Sequence, residues 1–208
     1  VYHHLYYHYL MKKYEKKEID KRPPSQCILV EGKLGTGKTF ITKTLRNITR
    51  QLTMDNSSDI ASAPTGCAAA LIDGSTHYRC LSIPTGKKLY NAPTNIENTD
   101  VSKIRAIQKT MCNVITFIED EHSMKGRPLW GWTRHRNEEK RRPDVELDNE
   151  QKIVHKENIF LDKEIYERPW GGIPFLYSFG HYGQLPPVMM KAMYDTCSAK
   201  AGTSDAIG

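Results

Sequence analysis

The chain has 208 residues, 38% of them hydrophobic and 26% charged, which gives one domain a core and excludes a disordered tail. The net charge of +6 and a pI of about 9.0 suit a nucleic-acid partner. No run approaches the roughly 18 apolar residues of a membrane span, so no membrane is expected, and five scattered cysteines without a C-x-x-C pair indicate neither a zinc site nor a disulfide framework.

Residues 1–24 form an N-terminal segment rich in Tyr, His and Lys, expected to be a helix that ends at Pro23-Pro24. His3, His4 and His8 have no Cys or acidic partner at ligand spacing, so a solvated helix face is expected rather than a metal cluster. Cys27 to Glu31 is a short apolar run, read as a strand buried on both faces. Residues 32–39 then read Gly-Lys-Leu-Gly-Thr-Gly-Lys-Thr, the phosphate-binding pattern G-x-x-x-x-G-K-[ST] without substitution. Each position has a physical task. Gly32, Gly35 and Gly37 admit backbone conformations that a Cβ would block, which turns a run of N–H groups inward around an anion. Leu34, Thr36 and Phe40 complete the loop and the first turn of the helix after it, whose positive end favours phosphate. In this pattern Lys38 reaches the β- and γ-phosphates and the Thr39 hydroxyl is a ligand for Mg²⁺. Ile41, Leu45, Ile48 and Leu52 follow at helical spacing as one apolar stripe.

Residues 59–72 predict a strand, a Pro64-Thr65-Gly66 turn and an Ala-rich helix. Residues 73–98 read as loop and 99–111 as helix. Val114, Ile115, Phe117 and Ile118 form the most apolar run, a central strand, and it ends in Glu119-Asp120-Glu121. Acids at the carboxyl end of such a strand sit where α/β sheets bind ligands. Asp120 is placed as the Mg²⁺ residue and Glu121 as the base that orients water. Residues 125–158 carry Arg127, Arg134, Arg136, Lys140, Arg141 and Arg142 among acids and two tryptophans, with no sustained period. They are expected to be a divergent, peripheral insert that is solvated and loosely packed. Order returns at Pro169-Trp170-Gly171-Gly172 and a strand over residues 173–179, ending in Gly180-His181-Tyr182-Gly183-Gln184-Leu185-Pro186-Pro187-Val188.

Four segments in this order resemble the motifs of the Pif-type (petite-integration-frequency) DNA helicases of superfamily 1B, relatives of RecD and of Helitron helicases. Residues 32–40 resemble motif I. Ala63-Pro64-Thr65-Gly66-Cys67-Ala68-Ala69 with Gly74-Ser75-Thr76 resembles motif Ia, Ile118-Glu119-Asp120-Glu121-His122-Ser123-Met124 motif II, and residues 179–188, with 169–174 just ahead, motif III. The resemblance implies a RecA-like α/β domain over residues 25–208, with a mainly parallel sheet and helices on both faces. It implies ATP hydrolysis with Mg²⁺, coupled to movement along single-stranded DNA and serving repair, recombination and telomere maintenance. In that reading Lys38, Asp120, Glu121 and Gln184 are catalytic, Gln184 senses the γ-phosphate, and Pro64, Thr65 and Gly66 line the single-strand path. The family also implies a nuclear or mitochondrial, monomeric protein.

The chain departs from the family in four places. His181 stands where the family has Asp, and if it lies close to Asp120 and Glu121 it is expected to pair with one of them. His77 is shifted by one from the family's His. Gln26 is too close to the phosphate loop to read adenine. Nothing after residue 188 resembles motifs IV to VI, so the second RecA-like domain with its arginine finger is missing. Both ends read as cuts, so the absence of a targeting signal carries no weight. These departures leave an alternative: a degenerate, transposon-derived nucleotide-binding domain without motor activity.

Overall fold

The computed structural model describes residues 1–13, 23–90, 108–111, 113–140, 145–147, 153–155 and 169–195. The elements in chain order are α1 (Tyr2–Lys13), β1 (Gln26–Glu31), α2 (Lys38–Thr53), β2 (Asp59–Ala63), α3 (Gly66–Leu71), β3 (Ser75–Thr76), α4 (His77–Cys80), a 3₁₀ turn (Gly86–Tyr90), β4 (Thr116–Glu119) and a 3₁₀ turn (His122–Met124). Then come α5 (Arg127–Lys140), β5 (Val145–Leu147), β6 (Ile153–His155), a 3₁₀ turn (Pro169–Gly172) and β7 (Phe175–Gly180). Among the described residues, β1, β7, β4, β2 and β3 lie side by side in that order in one sheet, every pairing parallel. β5 and β6 pair antiparallel with each other in a separate small sheet.

Successive side chains of a strand point to opposite faces, and the sheet therefore feeds two cores. Ile118, Tyr177 and Phe179 pack on one face with Leu45, Ile72 and Tyr7. Phe117 and Leu176 pack on the other with Leu81, Val114, Leu129 and Trp132. This two-faced α/β architecture is the expected one. β4 is fully buried along its length and lies between β7 and β2, as a central strand should.

β1 differs from expectation. It is the edge strand of the described sheet, and its residues alternate, with Cys27 and Leu29 exposed. A short apolar run cannot by itself distinguish an edge from a centre. In α2 the buried face is Thr42, Leu45, Arg46 and Thr49, while Ile41 and Leu52 are exposed. Arg46 and Thr49 hold that face because each finds a partner. Arg46 and Arg50 both donate to the Asp59 carboxylate, Arg46 also donates to the Ile72 and Asp73 carbonyls, and the hydroxyls of Thr49 and Thr116 lie 3.0 Å apart. Residues 73–90 hold β3, α4 and a 3₁₀ turn rather than plain loop. Of the expected 99–111 helix, residues 108–111 are helical and residues 99–107 lie outside the described residues.

The reading of residues 125–158 as a loosely packed insert is corrected for its first part. Residues 127–140 are helix α5. Leu129 and Trp132 are 1% and 3% exposed and join the core with Phe117 and Leu176. The Trp132 indole N–H donates to the Leu89 carbonyl at 2.8 Å. Asn137 packs so tightly on the Pro169–Gly172 turn that a Cβ at Gly171 would lie 2.3 Å from its carbonyl oxygen. The charges that hid this helix's apolar stripe lie partly against it: the Arg136 guanidinium sits over the Trp132 ring, 5.0 Å from its centre. The alanine variant Trp132→Ala is expected to lose ~3–5 kcal/mol of stability. Denaturant unfolding checks this, and a loss below about 1 kcal/mol contradicts a core role.

α1 is helical as expected and His3 is exposed, but the other two histidines are not solvated. His4 and His8 are buried. His4 Nδ1 lies 3.0 Å from the Tyr177 hydroxyl and Nε2 3.0 Å from the Thr49 hydroxyl, with the Phe175 ring against it. Both ring nitrogens of His4 are thus occupied, and among the described residues no group of side chains is placed to hold a metal. Burial pushes the His4 pKa down to about 3, with His8 adding to the effect, and burial lowers His8 as well. The unfolded chain takes up these protons below about pH 6.5 and the folded chain resists them. The stability contributed is therefore complete above pH 6.5 and lost as pH falls toward 3. Melting temperature should fall between pH 7 and 5 more steeply in the wild type than in His4→Gln/His8→Gln. Equal slopes contradict the assignment.

Candidate nucleotide-binding site

The phosphate loop leaves β1 and enters α2. Gly35 and Gly37 have φ of 76° and 86°, the left-handed region where glycine is favoured. Gly37 caps α2 without a side chain, so the helix's first N–H groups stay unblocked. The Thr36 hydroxyl closes the loop by donating to the Lys33 carbonyl at 2.8 Å. Lys38 folds back on its own loop, donating to the carbonyls of Gly32 and, at 3.0 Å, Lys33. An ammonium held by two carbonyl dipoles can turn outward to an anion without unfolding anything. Thr39, Leu34 and Phe40 are exposed around the loop. Gln26 is at the opposite end of β1, donating to the Pro24 carbonyl at 3.2 Å.

β7 lies between β1 and β4, so the turns that follow these three strands share the carboxyl edge of the sheet. Asp120 follows β4 and its N–H is held by the Ser62 carbonyl at 2.9 Å. The Asp120 carboxylate accepts from the Glu121 N–H at 3.0 Å. Burial raises the Asp120 pKa, while that N–H bond and the Lys38 charge oppose the shift. Burial, and then the Asp120 charge, raise Glu121, and Lys38 again opposes. Glu121 has φ of 56°, a costly conformation for a residue with a side chain. That backbone turn sets Glu121 off the line of the strand. A hydroxyl at Thr39 and a carboxylate at Asp120 are hard oxygen donors, which fits a cation that takes one or two protein oxygens and fills its shell with water and phosphate.

Glu119 behaves differently from its two neighbours and was missed as a separate residue. Its side chain is fully buried and accepts from Lys125 Nζ, equally buried, at 2.5 Å. The Lys125 ammonium also lies 3.9 Å from the centre of the Trp130 ring. Burial lowers the Lys125 pKa and the Glu119 charge holds it up. The sequence signal was an acid in the last position of an apolar strand with a lysine just past the following turn. This pair closes the turn that carries Asp120 and Glu121. Removing one partner strands the other charge, so Lys125→Met should cost ~3–5 kcal/mol, whereas Glu119→Leu/Lys125→Met should recover most of it. Unfolding free energies of the four chains test this, and additive losses would show that the charges do not compensate each other.

His181 does not meet Asp120 or Glu121. Its Nδ1 lies 3.6 Å from the Glu31 carboxylate, whose other oxygen is 2.7 Å from Nε2 of the buried His122. Burial lowers the His122 pKa and Glu31 opposes it. The His122 ring is pressed on the end of β7, where a Cβ at Gly180 would lie 2.5 Å from it. Gln184 follows, its N–H held by the His181 carbonyl at 2.9 Å. Pro64, Thr65 and Gly66 follow β2, with Gly66 exposed and the Thr65 hydroxyl capping α3 through the Ala68 N–H at 3.3 Å. His77 is a core residue bonded to the Ser62 hydroxyl at 2.9 Å, and burial holds its pKa well below the usual range. Its shift by one position thus has a packing role.

A phosphate loop on an edge strand, acids after a central strand and a polar turn between them define a RecA-like P-loop nucleotide-binding domain. A family model described as PIF1-like helicase matches residues 17–204. The chain belongs to the PIF1-like helicase family. Among solved structures it is similar to Pif1 helicase from Bacteroides in complex with ADP-AlF3 and single-stranded DNA. That match has a TM-score of 0.56, is 23% identical, and covers 88% of this chain and 34% of that one. It is also similar to Pif1 helicase from Candida albicans (TM-score 0.54, 22% identical, 88% and 33% covered) and to unliganded Pif1 from Bacteroides sp (0.53, 22%, 89% and 33%). These likenesses establish the fold, and the chain spans about a third of the length of those chains. No curated protein matches it by sequence.

Proposed function

We propose that this chain is the nucleotide-binding motor domain of an ATP-dependent DNA helicase and works against a second RecA-like domain. The observation that carries this reading is the meeting of the phosphate loop, Asp120 with Glu121, and the Gln184 turn at the ends of three adjacent strands. Lys38 leaves the Gly32 and Lys33 carbonyls to meet the β- and γ-phosphates of ATP, and the loop N–H groups hold the remaining oxygens. Thr39 and Asp120 would hold Mg²⁺, which when bound would supply neutralisation of phosphate charge. Glu121 orients the attacking water, and Gln184 reads the γ-phosphate. Gly32, Leu34, Gly35, Thr36, Gly37 and Phe40 form the rest of the nucleotide cradle.

Pro64, Thr65 and Gly66, after the neighbouring β2, line a path for single-stranded DNA. Contacts there go to phosphate and carry no sequence preference. The Bacteroides Pif1 structure with ADP-AlF3 and single-stranded DNA supports both ligands by relationship. An arginine supplied across a domain cleft contributes ~10³–10⁵ in rate. The chain by itself is therefore expected to bind Mg²⁺-nucleotide, with negligible DNA-stimulated turnover and no unwinding. Calorimetry with Mg²⁺-ADP should show Lys38→Ala binding ~10–100-fold more weakly than wild type. Equal affinities would remove the phosphate loop from the site, and robust single-strand-stimulated hydrolysis by the purified monomer would contradict the two-domain reading.

A further inference from the structure

Glu31 belongs to neither the phosphate-loop pattern nor the acid motifs, yet it stands where three site-bearing segments meet. It is the last residue of β1, in register with Gly180 of β7, and the next N–H, of Gly32, donates to the Gly180 carbonyl at 3.0 Å. One carboxylate oxygen is 2.7 Å from His122 Nε2, in the turn that follows Asp120 and Glu121, and the other is 3.6 Å from His181 Nδ1. On its far side the His181 imidazole meets the turn it opens: a Cβ at Gly183 would lie 2.9 Å from its Nε2. The next residue is Gln184, tied back to the His181 carbonyl, and its Oε1 is buried without a hydrogen-bond partner. A buried acceptor left unmade is held there by its surroundings, at a cost.

We propose that Glu31 is a positioning residue of the nucleotide site: its carboxylate holds the His181 imidazole, which seats the Gly183-Gln184 turn and fixes how Gln184 meets the terminal phosphate. This rests on the nucleotide reading above. The departure at His181 is then matched by an acid one strand away. A lone Asp at position 181 would set two carboxylates against each other.

The test is calorimetry with Mg²⁺-ADP and a Mg²⁺-bound non-hydrolysable ATP analogue on wild type, Glu31→Gln, His181→Asn and the double variant. The ratio of triphosphate to diphosphate affinity should fall about tenfold in each single variant, and no further in the double. A merely structural role lowers both affinities together and leaves the ratio unchanged. An unchanged ratio in either single variant, or additive losses in the double, overturns the proposal. Nucleotide-free NMR of the histidine side chains judges the contact separately: the His181 ring-nitrogen shifts move in Glu31→Gln if the contact holds, and unmoved shifts refute it. Wild type binding neither nucleotide overturns the nucleotide reading itself, and the coupling to phosphate falls with it.

Discussion

The arrangement of the site depends on β7 lying between β1 and β4. Parallel pairing in register, Glu31 with Gly180 on one side and Glu119 with Ser178 on the other, brings three carboxyl ends level. The strands alone would leave the turns free to splay. Two sets of side-chain contacts hold them: Glu31 against His122 and His181, and Glu119 against Lys125. The first links the phosphate-loop strand to both other turns. The second ties the end of β4, ahead of the acid turn, to Lys125, just before α5.

These pairs also bear on the alternative of a degenerate domain. A buried charge that loses its partner costs ~3–5 kcal/mol, a large share of the 5–15 kcal/mol that keeps a domain folded. Glu119 and Lys125 are six residues apart and both fully buried, and each is tolerable only with the other present. His77, shifted from the family position, has likewise found a bond to Ser62 within the core. A chain drifting without constraint would be expected to keep one half of such pairs as readily as both. Among the described residues, His77 and helix α5, which read as decay in the sequence, are packed and partnered.

The phosphate loop, the acid-tipped central strand and the Gln184 turn were legible because each depends on local chemistry: glycine at positive φ, an apolar run, and turn residues. What was not legible depends on contacts distant in sequence. Arg46 and Thr49 face inward because Asp59, Ile72, Asp73 and Thr116 receive them, which a helical stripe of Ile and Leu does not reveal. Helix α5 was hidden because Arg136 lies over Trp132 and the buried positions include Thr133 and Asn137. His4 and His8 read as solvated because the residues that enclose them, Tyr177, Thr49 and Phe175, are distant in sequence. Glu31 reads as the polar end of a strand, and only the sheet order brings His181 to it.

The most direct test of the central claim, that the sheet order brings one nucleotide site together, is backbone amide NMR of the chain titrated with Mg²⁺-ADP. The account predicts that the shifted resonances fall on residues 32–40 and, together with them, on Asp120, Glu121 and Gln184, although these lie far apart in sequence. Shifts confined to residues outside these three turns, or a spectrum unchanged at millimolar Mg²⁺-ADP, would contradict it.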